Sequence, residues 1–170
     1  MDLAKHIRDI PDFPKEGILF RDITTVLSNT QAYKKSIDEL AELLKDKDID
    51  YIVAAESRGF IFGGALAYKL GCGFIPVRKP GKLPYKTYSH SYSLEYGEDS
   101  LEIHQDAFPE GSSILVLDDL LATGGTALAL VKLTEKLKGK IAAAAFLIEL
   151  TALKGREKLQ GYPVLSSIKY

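Results

Sequence analysis

The amino-acid sequence predicts an α/β fold with a central, mainly parallel sheet flanked by helices. Four apolar runs of strand length occupy residues 51–55, 74–77, 114–117 and 141–148. Segments with helical spacing of apolar residues lie between the first two runs and between the last two. Strands that alternate with helices form parallel sheets covered on both faces, and such sheets bind ligands in loops at the carboxyl ends of their strands.

Helical spacing of apolar residues predicts helices over 3–10, 30–44, 59–70 and 127–137. Thr30 is expected to cap the second of these helices, and Gly71 is expected to end the third. Residues 78–100 differ, because proline, glycine, serine and tyrosine are frequent there and core-forming periodicity is weak. We expect a long loop or hairpin in that segment, and so long a loop in a compact domain is usually functional or mobile.

Length and composition predict a single domain over residues 1–170. The chain has 46% hydrophobic residues, enough for one core, and a formal net charge of −1, which gives no basic field to hold nucleic acid. Residues 1–10 carry charges where a signal peptide has an apolar core, and the apolar runs are shorter than the roughly 18 residues of a membrane helix. Cys72 is the single cysteine and allows no internal disulfide. We therefore expect a soluble, cytoplasmic protein.

The most informative segment is 114–127, Ile-Leu-Val-Leu-Asp-Asp-Leu-Leu-Ala-Thr-Gly-Gly-Thr-Ala. Four apolar residues precede Asp118 and Asp119, and we expect these two acids at the end of a buried strand. Small residues then open a helix, where backbone N–H groups and the helix dipole favour an anion. The residues predicted to form this anion site are Ala122, Thr123, Gly124, Gly125 and Thr126.

Two carboxylates beside an anion site indicate the class of ligand. Carboxylates repel phosphate, but they accept hydrogen bonds from hydroxyl groups. A ribose 5-phosphate satisfies both halves of the segment, with its phosphate in the turn and its hydroxyls on Asp118 and Asp119. The alternative is that the acids merely cap a helix, but a cap requires neither a second acid nor the threonine-glycine run. The segment also lacks a Walker A lysine, and Gly71-Cys72-Gly73 precedes a strand, which excludes a dinucleotide fingerprint.

Segment 114–127 resembles the phosphoribosyl diphosphate (PRPP) binding motif of the type I phosphoribosyltransferases. The resemblance implies the fold of that family, with a small N-terminal hood over about residues 1–30 and a flexible catalytic loop over about residues 80–100. A second segment, 55–60, lies at a predicted strand-to-helix turn and resembles the family's pyrophosphate loop. A cation such as Arg58 is disfavoured at a helix N-terminus unless an anion binds there.

Residues 78–84 place three cations at the start of the predicted loop. Charged runs are more often solvated surface, but this run resembles the stretch that leads into the catalytic loop of the adenine phosphoribosyltransferases. The residues that the resemblance implies for pyrophosphate are Glu56, Ser57, Arg58, Lys79 and Lys82. Arg58 is also implied to be catalytic.

Further matches to the adenine phosphoribosyltransferases cover nearly the whole chain. They are Phe13-Pro14, 17–23, 93–97 and 150–159. In that family the first two of these form the base-binding hood. This implies that Phe20 stacks on adenine while backbone groups of Leu19 and Arg21 read its amino edge and ring nitrogen. Glu56 stands where animal members often have aspartate, and the charge is kept. The implied function is purine salvage by a glycosyltransferase of the pentosyltransferase class, in which PRPP and adenine give AMP and pyrophosphate.

The implied chemistry requires charge stabilisation and proton removal. Loss of pyrophosphate leaves an oxocarbenium-like ribose, and Mg²⁺ on the diphosphate oxygens would offset the charge of the leaving group. The sequence suggests no dedicated metal site, so Mg²⁺ is expected to arrive with PRPP, close to Asp118 or Asp119. Adenine must lose an imidazole proton as it attacks, and the resemblance implies that Glu95 assists through the other imidazole nitrogen of the base. The resemblance also implies that the protein is a homodimer.

Two alternatives stay open at this point. A phosphoribosyltransferase for hypoxanthine, guanine or xanthine would need a donor at the exocyclic position, often a lysine, and the adenine-like hood argues against it. A regulatory PRPP sensor that has lost catalysis would carry a DNA-binding domain or a basic face, and the sequence shows neither.

Overall fold

A computed structural model describes residues 1–93 and 97–170, and over them the chain has the predicted α/β fold. The strands are β1 (Arg8–Pro11), β2 (Leu19–Asp22), β3 (Tyr51–Ala55), β4 (Gly73–Val77), β5 (Thr87–Ser93), β6 (Glu98–His104), β7 (Ser113–Leu121), β8 (Lys140–Glu149) and β9 (Val164–Lys169). The α-helices are α1 (Thr24–Leu27), α2 (Thr30–Leu43), α3 (Arg58–Leu70) and α4 (Gly125–Lys136), and short 3-10 helices cover Leu3–His6, Thr151–Leu153 and Gly155–Leu159.

Five parallel strands form the central sheet, in the order β4-β3-β7-β8-β9. The middle strand, β7, is an apolar run because residues on both of its faces are covered, and Ile114 to Leu117 are fully buried. Two antiparallel pairs accompany this sheet, β1 with β2 and β5 with β6. Since β3 and β7 are parallel neighbours, the turns that follow them meet at one edge of the sheet.

Helices α3 and α4 follow β3 and β7 and bury apolar residues against the sheet. At Gly63 on α3, an added Cβ would lie 2.6 Å from a ring carbon of Phe74, so glycine allows the helix to approach β4 closely. Gly71 ends α3 in the left-handed conformation, with φ of 69°, which confirms the predicted stop.

The structure corrects several predicted elements. Residues 3–10 form a 3-10 helix and strand β1 instead of one helix, because Arg8 to Pro11 pair with β2. Asn29, not Thr30, caps α2, since its side-chain oxygen accepts from the backbone N–H groups of Gln31 and Ala32. Strand β9 was not predicted. Of the two forms expected for residues 78–100, the hairpin is confirmed, because β5 pairs antiparallel with β6.

The chain divides into two compact units, residues 1–39 and 40–170, with the boundary inside α2. The sheet of β3, β4 and β7–β9 belongs to the second unit, and the β1–β2 pair to the first. The single domain, the hood over about 1–30 and the flexibility of about 80–100 stay predictions. Among the described residues, none of the helices has the length and apolar character needed to span a membrane.

Candidate active site

Asp118 and Asp119 lie within β7, not after it, because the ladder to β8 continues to Leu121. Both line a cleft of about 450 Å³ in the second unit. Asp119 is buried, and its backbone N–H donates to Oδ1 of Asp118 at 2.9 Å. The buried strand therefore holds two adjacent carboxylates at the wall of one cavity.

Arg58, the first residue of α3, forms an ion pair with Asp119. Its Nε lies 2.9 Å from Oδ2 of Asp119, whose side chain is only 5% exposed, while the Arg58 side chain is 44% exposed. The pair joins the turn after β3 to β7. It gives a buried carboxylate its counterion.

Removal from water governs the protonation of the two acids. Burial raises the pKa of Asp118 well above its usual range, and the neighbouring charge of Asp119 adds to this effect. Burial also raises the pKa of Asp119, although the charge of Arg58 opposes the change. A ligand that brings hydroxyl donors would restore hydrogen bonds that these carboxyl groups lose on burial.

The turn after β7 leads into the N-terminus of α4. Gly124 has φ of 84°, in the left-handed region that glycine tolerates. It is the N-cap residue of α4, so no side chain caps the N-terminus of that helix. A second cleft of about 200 Å³ opens at this turn and is lined by Arg58 and residues 118–127. All five residues predicted for the anion site, 122–126, line it, and they bring backbone N–H groups and the positive end of a helix dipole to one place.

The turn after β3 supplies the other side of the larger cleft. Glu56, Ser57 and Arg58 line it, and the peptide bond between Glu56 and Ser57 is cis. Oε1 of Glu56 accepts from the backbone N–H of Lys79 at 2.8 Å and from Nε of Arg78 at 3.2 Å. Glu56 thus ties this turn to the segment after β4, a positioning contact that the sequence did not suggest.

The two predicted lysines are placed differently. Lys79 lines the larger cleft, and its Nζ donates to Oδ2 of Asp99 on β6. Lys82 is exposed and is not among the residues that line either cleft. Only Lys79 is therefore brought together with Arg58 and the paired acids.

Sequence reasoning missed two polar residues of this cleft, Tyr92 and Asp99. They face each other across the β5–β6 pair, and the Tyr92 hydroxyl lies 3.3 Å from both Oδ2 of Asp99 and Oγ1 of Thr126. The signal was the alternation of residues along 87–93 and 98–104, which is the period of a strand. These residues bring the hairpin to the opening of α4.

The residues predicted for adenine lie in the first unit. Leu19, Phe20 and Arg21 are consecutive in β2, and the Phe20 ring meets Phe13 edge-on at 5.1 Å between centroids. Arg21 forms an ion pair with Asp9 on β1. Leu19 and Phe13 are 46% and 50% exposed, so this unit presents apolar surface next to Phe20. Glu95, the predicted catalytic carboxylate, lies outside the described residues.

Comparisons with known proteins agree with this geometry. A family model described as a phosphoribosyl transferase domain matches residues 23–168. The chain is 59% identical to the adenine phosphoribosyltransferase of Brachyspira hyodysenteriae over 170 residues, the full length of both.

Solved structures give the same result. The crystal structure of adenine phosphoribosyltransferase from Thermoanaerobacter pseudethanolicus is 56% identical, with a TM-score of 0.97 over 99% of this chain and 98% of that one. The Saccharomyces cerevisiae enzyme, solved with an imino-altritol bisphosphate and adenine, is 44% identical, with a TM-score of 0.92 over 97% and 96% of the two chains.

Proposed function

The chain belongs to the adenine phosphoribosyltransferases within the phosphoribosyltransferase family, and on that premise we propose how its residues transfer the 5-phosphoribosyl group of PRPP to adenine. N9 of adenine forms a bond to C1 of the ribose, and the bond from C1 to pyrophosphate breaks. Adenine loses its imidazole proton, and the products are AMP and pyrophosphate.

One observation carries the assignment of the sugar phosphate: paired acids and an open helix N-terminus lie beside one another. The 5-phosphate binds the N–H groups of residues 122–126, and the ribose hydroxyls donate to Asp118 and Asp119. The cleft at the turn is about 200 Å³ and the adjoining one about 450 Å³. The smaller cleft would hold the phosphate and the larger one the rest of the ligand. The two clefts adjoin, because four residues line both of them: Arg58, Asp118, Asp119 and Thr126.

Pyrophosphate binds between the turn after β3 and the segment after β4. Arg58 and Lys79 supply positive charge there, and Ser57 supplies a hydroxyl and the start of α3. Glu56 lines the same cleft, and its carboxylate also positions Lys79 by accepting a hydrogen bond from the Lys79 backbone N–H. Lys82 would have to move in from the surface to take part.

The charges of the larger cleft favour a metal ion that arrives with the substrate. Its lining includes two cations, Arg58 and Lys79, and the carboxylates of Glu56, Asp99, Asp118 and Asp119. The described residues contain no group of three or more His, Cys, Asp or Glu that could hold a metal ion alone. One or two carboxylates together with substrate phosphates are the usual ligands of Mg²⁺, and Asp118 or Asp119 would contribute them. Bound Mg²⁺ would neutralise charge on the diphosphate oxygens.

Adenine recognition is assigned to the first unit. Phe20 would stack on the purine, and the backbone at Leu19 and Arg21 would discriminate the amino group of adenine from the oxo group of other purines, because donor and acceptor are exchanged there. Glu95 would help to remove the imidazole proton. These roles rest on the resemblance of 17–23 and 93–97 to the family.

A direct assay tests the proposed reaction. Purified protein with adenine, PRPP and Mg²⁺ should produce AMP and pyrophosphate in equal amounts, measured by chromatography. In competition, hypoxanthine, guanine and xanthine should leave adenine consumption nearly unchanged. The Asp118→Asn, Asp119→Asn double variant should bind no PRPP in calorimetry. Preferential consumption of another base would replace the assignment, and PRPP binding without product would favour a sensor.

We also propose a cytoplasmic homodimer, as the resemblance implies. Tyr68 and Ile61 lie seven residues apart on α3 and are 91% and 38% exposed, which gives this helix an apolar surface suited to a second copy. Sedimentation velocity should show a dimer for the native protein and a monomer after Tyr68→Glu. A native monomer at micromolar concentration would contradict the proposal.

A further inference from the structure

Asp99 is fixed in the larger cleft by contacts to both of its oxygens. Oδ1 accepts from the backbone N–H of Ser100 at 2.9 Å, and Oδ2 accepts from Nζ of Lys79 and from the Tyr92 hydroxyl. The side chains of Asp99 and Lys79 are 27% and 41% exposed. The carboxylate is therefore held in one orientation with the ammonium group of Lys79 against it.

The same ion pair sets the charge that a ligand meets. The hydrogen bond from Lys79 holds the pKa of Asp99 below its usual value, so Asp99 is ionised at neutral pH. Its negative charge offsets that of Lys79. Arg58, the other cation of the cleft, is paired with Asp119, so both cations that would attract pyrophosphate already have carboxylate partners.

Asp99 and pyrophosphate must then share one ammonium group. Asp99 and Lys79 line the same cleft, so an anion that binds Lys79 must compete with the Asp99 carboxylate for the ammonium group, and this competition weakens binding. A paired lysine is still available, because an ammonium group has three donors. The pair consequently tunes the affinity for the anion without removing the binding site.

We propose that Asp99 is a positioning residue that acts through Lys79 to weaken the binding of pyrophosphate and so to favour its release. This inference rests on the proposed function, since it takes Lys79 to contact pyrophosphate. Asp99 touches no reacting atom. Its effect is on the leaving group and not on adenine.

The test measures binding of magnesium pyrophosphate by calorimetry, without adenine and without turnover. Asp99→Asn keeps the shape and the acceptor oxygen of the side chain but removes its charge. We expect pyrophosphate to bind roughly three- to tenfold more tightly to this variant, because the charge of the Lys79 ammonium group is no longer offset by a carboxylate. Glu110→Gln is the matched control. It removes the carboxylate of another lysine pair, Lys138–Glu110, which is exposed and does not line the cleft, and affinity should not change.

A second background shows whether the effect passes through Lys79. With Lys79→Met, adding Asp99→Asn should change pyrophosphate affinity by less than about twofold, because the ammonium group that Asp99 pairs with is absent. Weaker or unchanged binding in the Asp99→Asn single variant would overturn the inference. An equal gain in the Lys79→Met background would show a general charge effect, which would also overturn it.

The outcomes separate this inference from the proposed function. Failure of the native protein to bind pyrophosphate would remove the leaving-group site and this inference with it. If the native protein binds pyrophosphate but Asp99→Asn does not bind it more tightly, the inference alone is wrong. If no AMP forms, the proposed reaction is contradicted and the inference on pyrophosphate binding is not. Thermal unfolding checks each variant, and Asp99→Ser gives the same charge test if the asparagine variant does not fold.

Discussion

The backbone of Gly124 packs directly against the backbone of Gly155. A Cβ added at Gly124 would lie 2.5 Å from the carbonyl oxygen of Gly155, and one added at Gly155 would overlap the carbonyl oxygen of Ala122. Gly155 opens the 3-10 helix Gly155–Leu159. The turn proposed to bind the 5-phosphate is therefore supported from behind by a segment about thirty residues further along the chain.

This contact predicts that Gly155→Ala weakens PRPP binding. The added methyl group must push the turn at 122–124 forward, and a misplaced set of N–H donors should lower PRPP affinity about tenfold or more, since donor geometry determines the strength of such sites. Calorimetry with PRPP and Mg²⁺ measures the effect. Gly64→Ala on α3, where an added Cβ meets open space, is the control and should bind normally. Normal binding by Gly155→Ala would show that the turn is not held by this contact.

Asp118→Asn is expected to stabilise the folded protein while it removes PRPP binding. A raised pKa means that the folded state holds this proton more tightly than the unfolded chain, so ionisation costs stability once the pH exceeds the unfolded value near 3.8. Asparagine removes that cost at pH 7. A gain on the order of 1 kcal/mol corresponds to a rise in Tm of about 2–4 °C for a domain of this size. Calorimetric scans at pH 7 should show the rise, and scans near pH 4 should show little. A lower Tm at pH 7 would refute the argument.

The sequence predicted the sheet better than its surroundings. The runs at 51–55 and 114–117 were recognisable because parallel central strands are apolar on both faces. The sequence did not reveal that β7 extends through Asp118 and Asp119, because nothing in the neighbouring residues shows that these polar residues pair with another strand. The pairing of Arg8 to Pro11 with β2 was hidden because a four-residue strand contains too few residues to show a period of two.

The same distinction holds for the site. The anion turn and Arg58 follow from local backbone chemistry, which a sequence displays. Asp99 and Tyr92 reach the cleft only because β5 and β6 pair in one register, and the position of Glu56 depends on a contact to the segment after β4. Such contacts are set by tertiary structure.

Arg156 forms a two-pronged ion pair with Glu149 that should matter for stability. Nε and a terminal nitrogen of Arg156 lie 2.5 and 2.7 Å from the two oxygens of Glu149, whose side chain is 5% exposed. Arg156→Met would leave that carboxylate without its counterion. We expect a loss of about 2 kcal/mol, less than for a fully buried pair because the Arg156 side chain is 39% exposed.

Urea unfolding at pH 7 measures this loss. Adding Glu149→Gln to Arg156→Met should recover part of it, because the unpaired charge is removed. Lys138→Met breaks the exposed pair with Glu110 and serves as the control, with no measurable change expected. Equal stabilities of the native protein and Arg156→Met would show that the pair is unimportant.

Glu95→Gln tests the proposed assistance of Glu95 to proton loss from adenine. Glutamine keeps the size of the side chain but loses its charge and basicity, so kcat should fall by about a hundredfold or more, the usual contribution of acid–base catalysis. PRPP affinity should change far less than kcat, because the role proposed for Glu95 is on adenine and not on PRPP. Steady-state kinetics for kcat and calorimetry for PRPP separate the two effects. An unaltered kcat would exclude Glu95 from proton transfer.

Asp22 should make the stability of the protein depend on pH in the acid range. Its carboxylate accepts from the backbone N–H of Thr24 at 2.9 Å and from Arg8, and these bonds lower its pKa to about 2. A lowered pKa contributes stability above the unfolded value of 3.8, and that contribution is lost as the pH falls toward 2. Asp22→Asn should therefore cost about 1 kcal/mol at pH 7, a typical value for hydrogen bonds to a charged group after solvent screening.

Urea unfolding at pH 7, 4 and 3 measures this cost. The gap in free energy of unfolding between the native protein and Asp22→Asn should narrow below pH 4. Asp9→Asn, which removes the more exposed pair with Arg21 on the same two strands, should show a smaller gap at pH 7. A gap for Asp22→Asn that stays constant down to pH 3 would mean that the folded and unfolded states bind this proton equally.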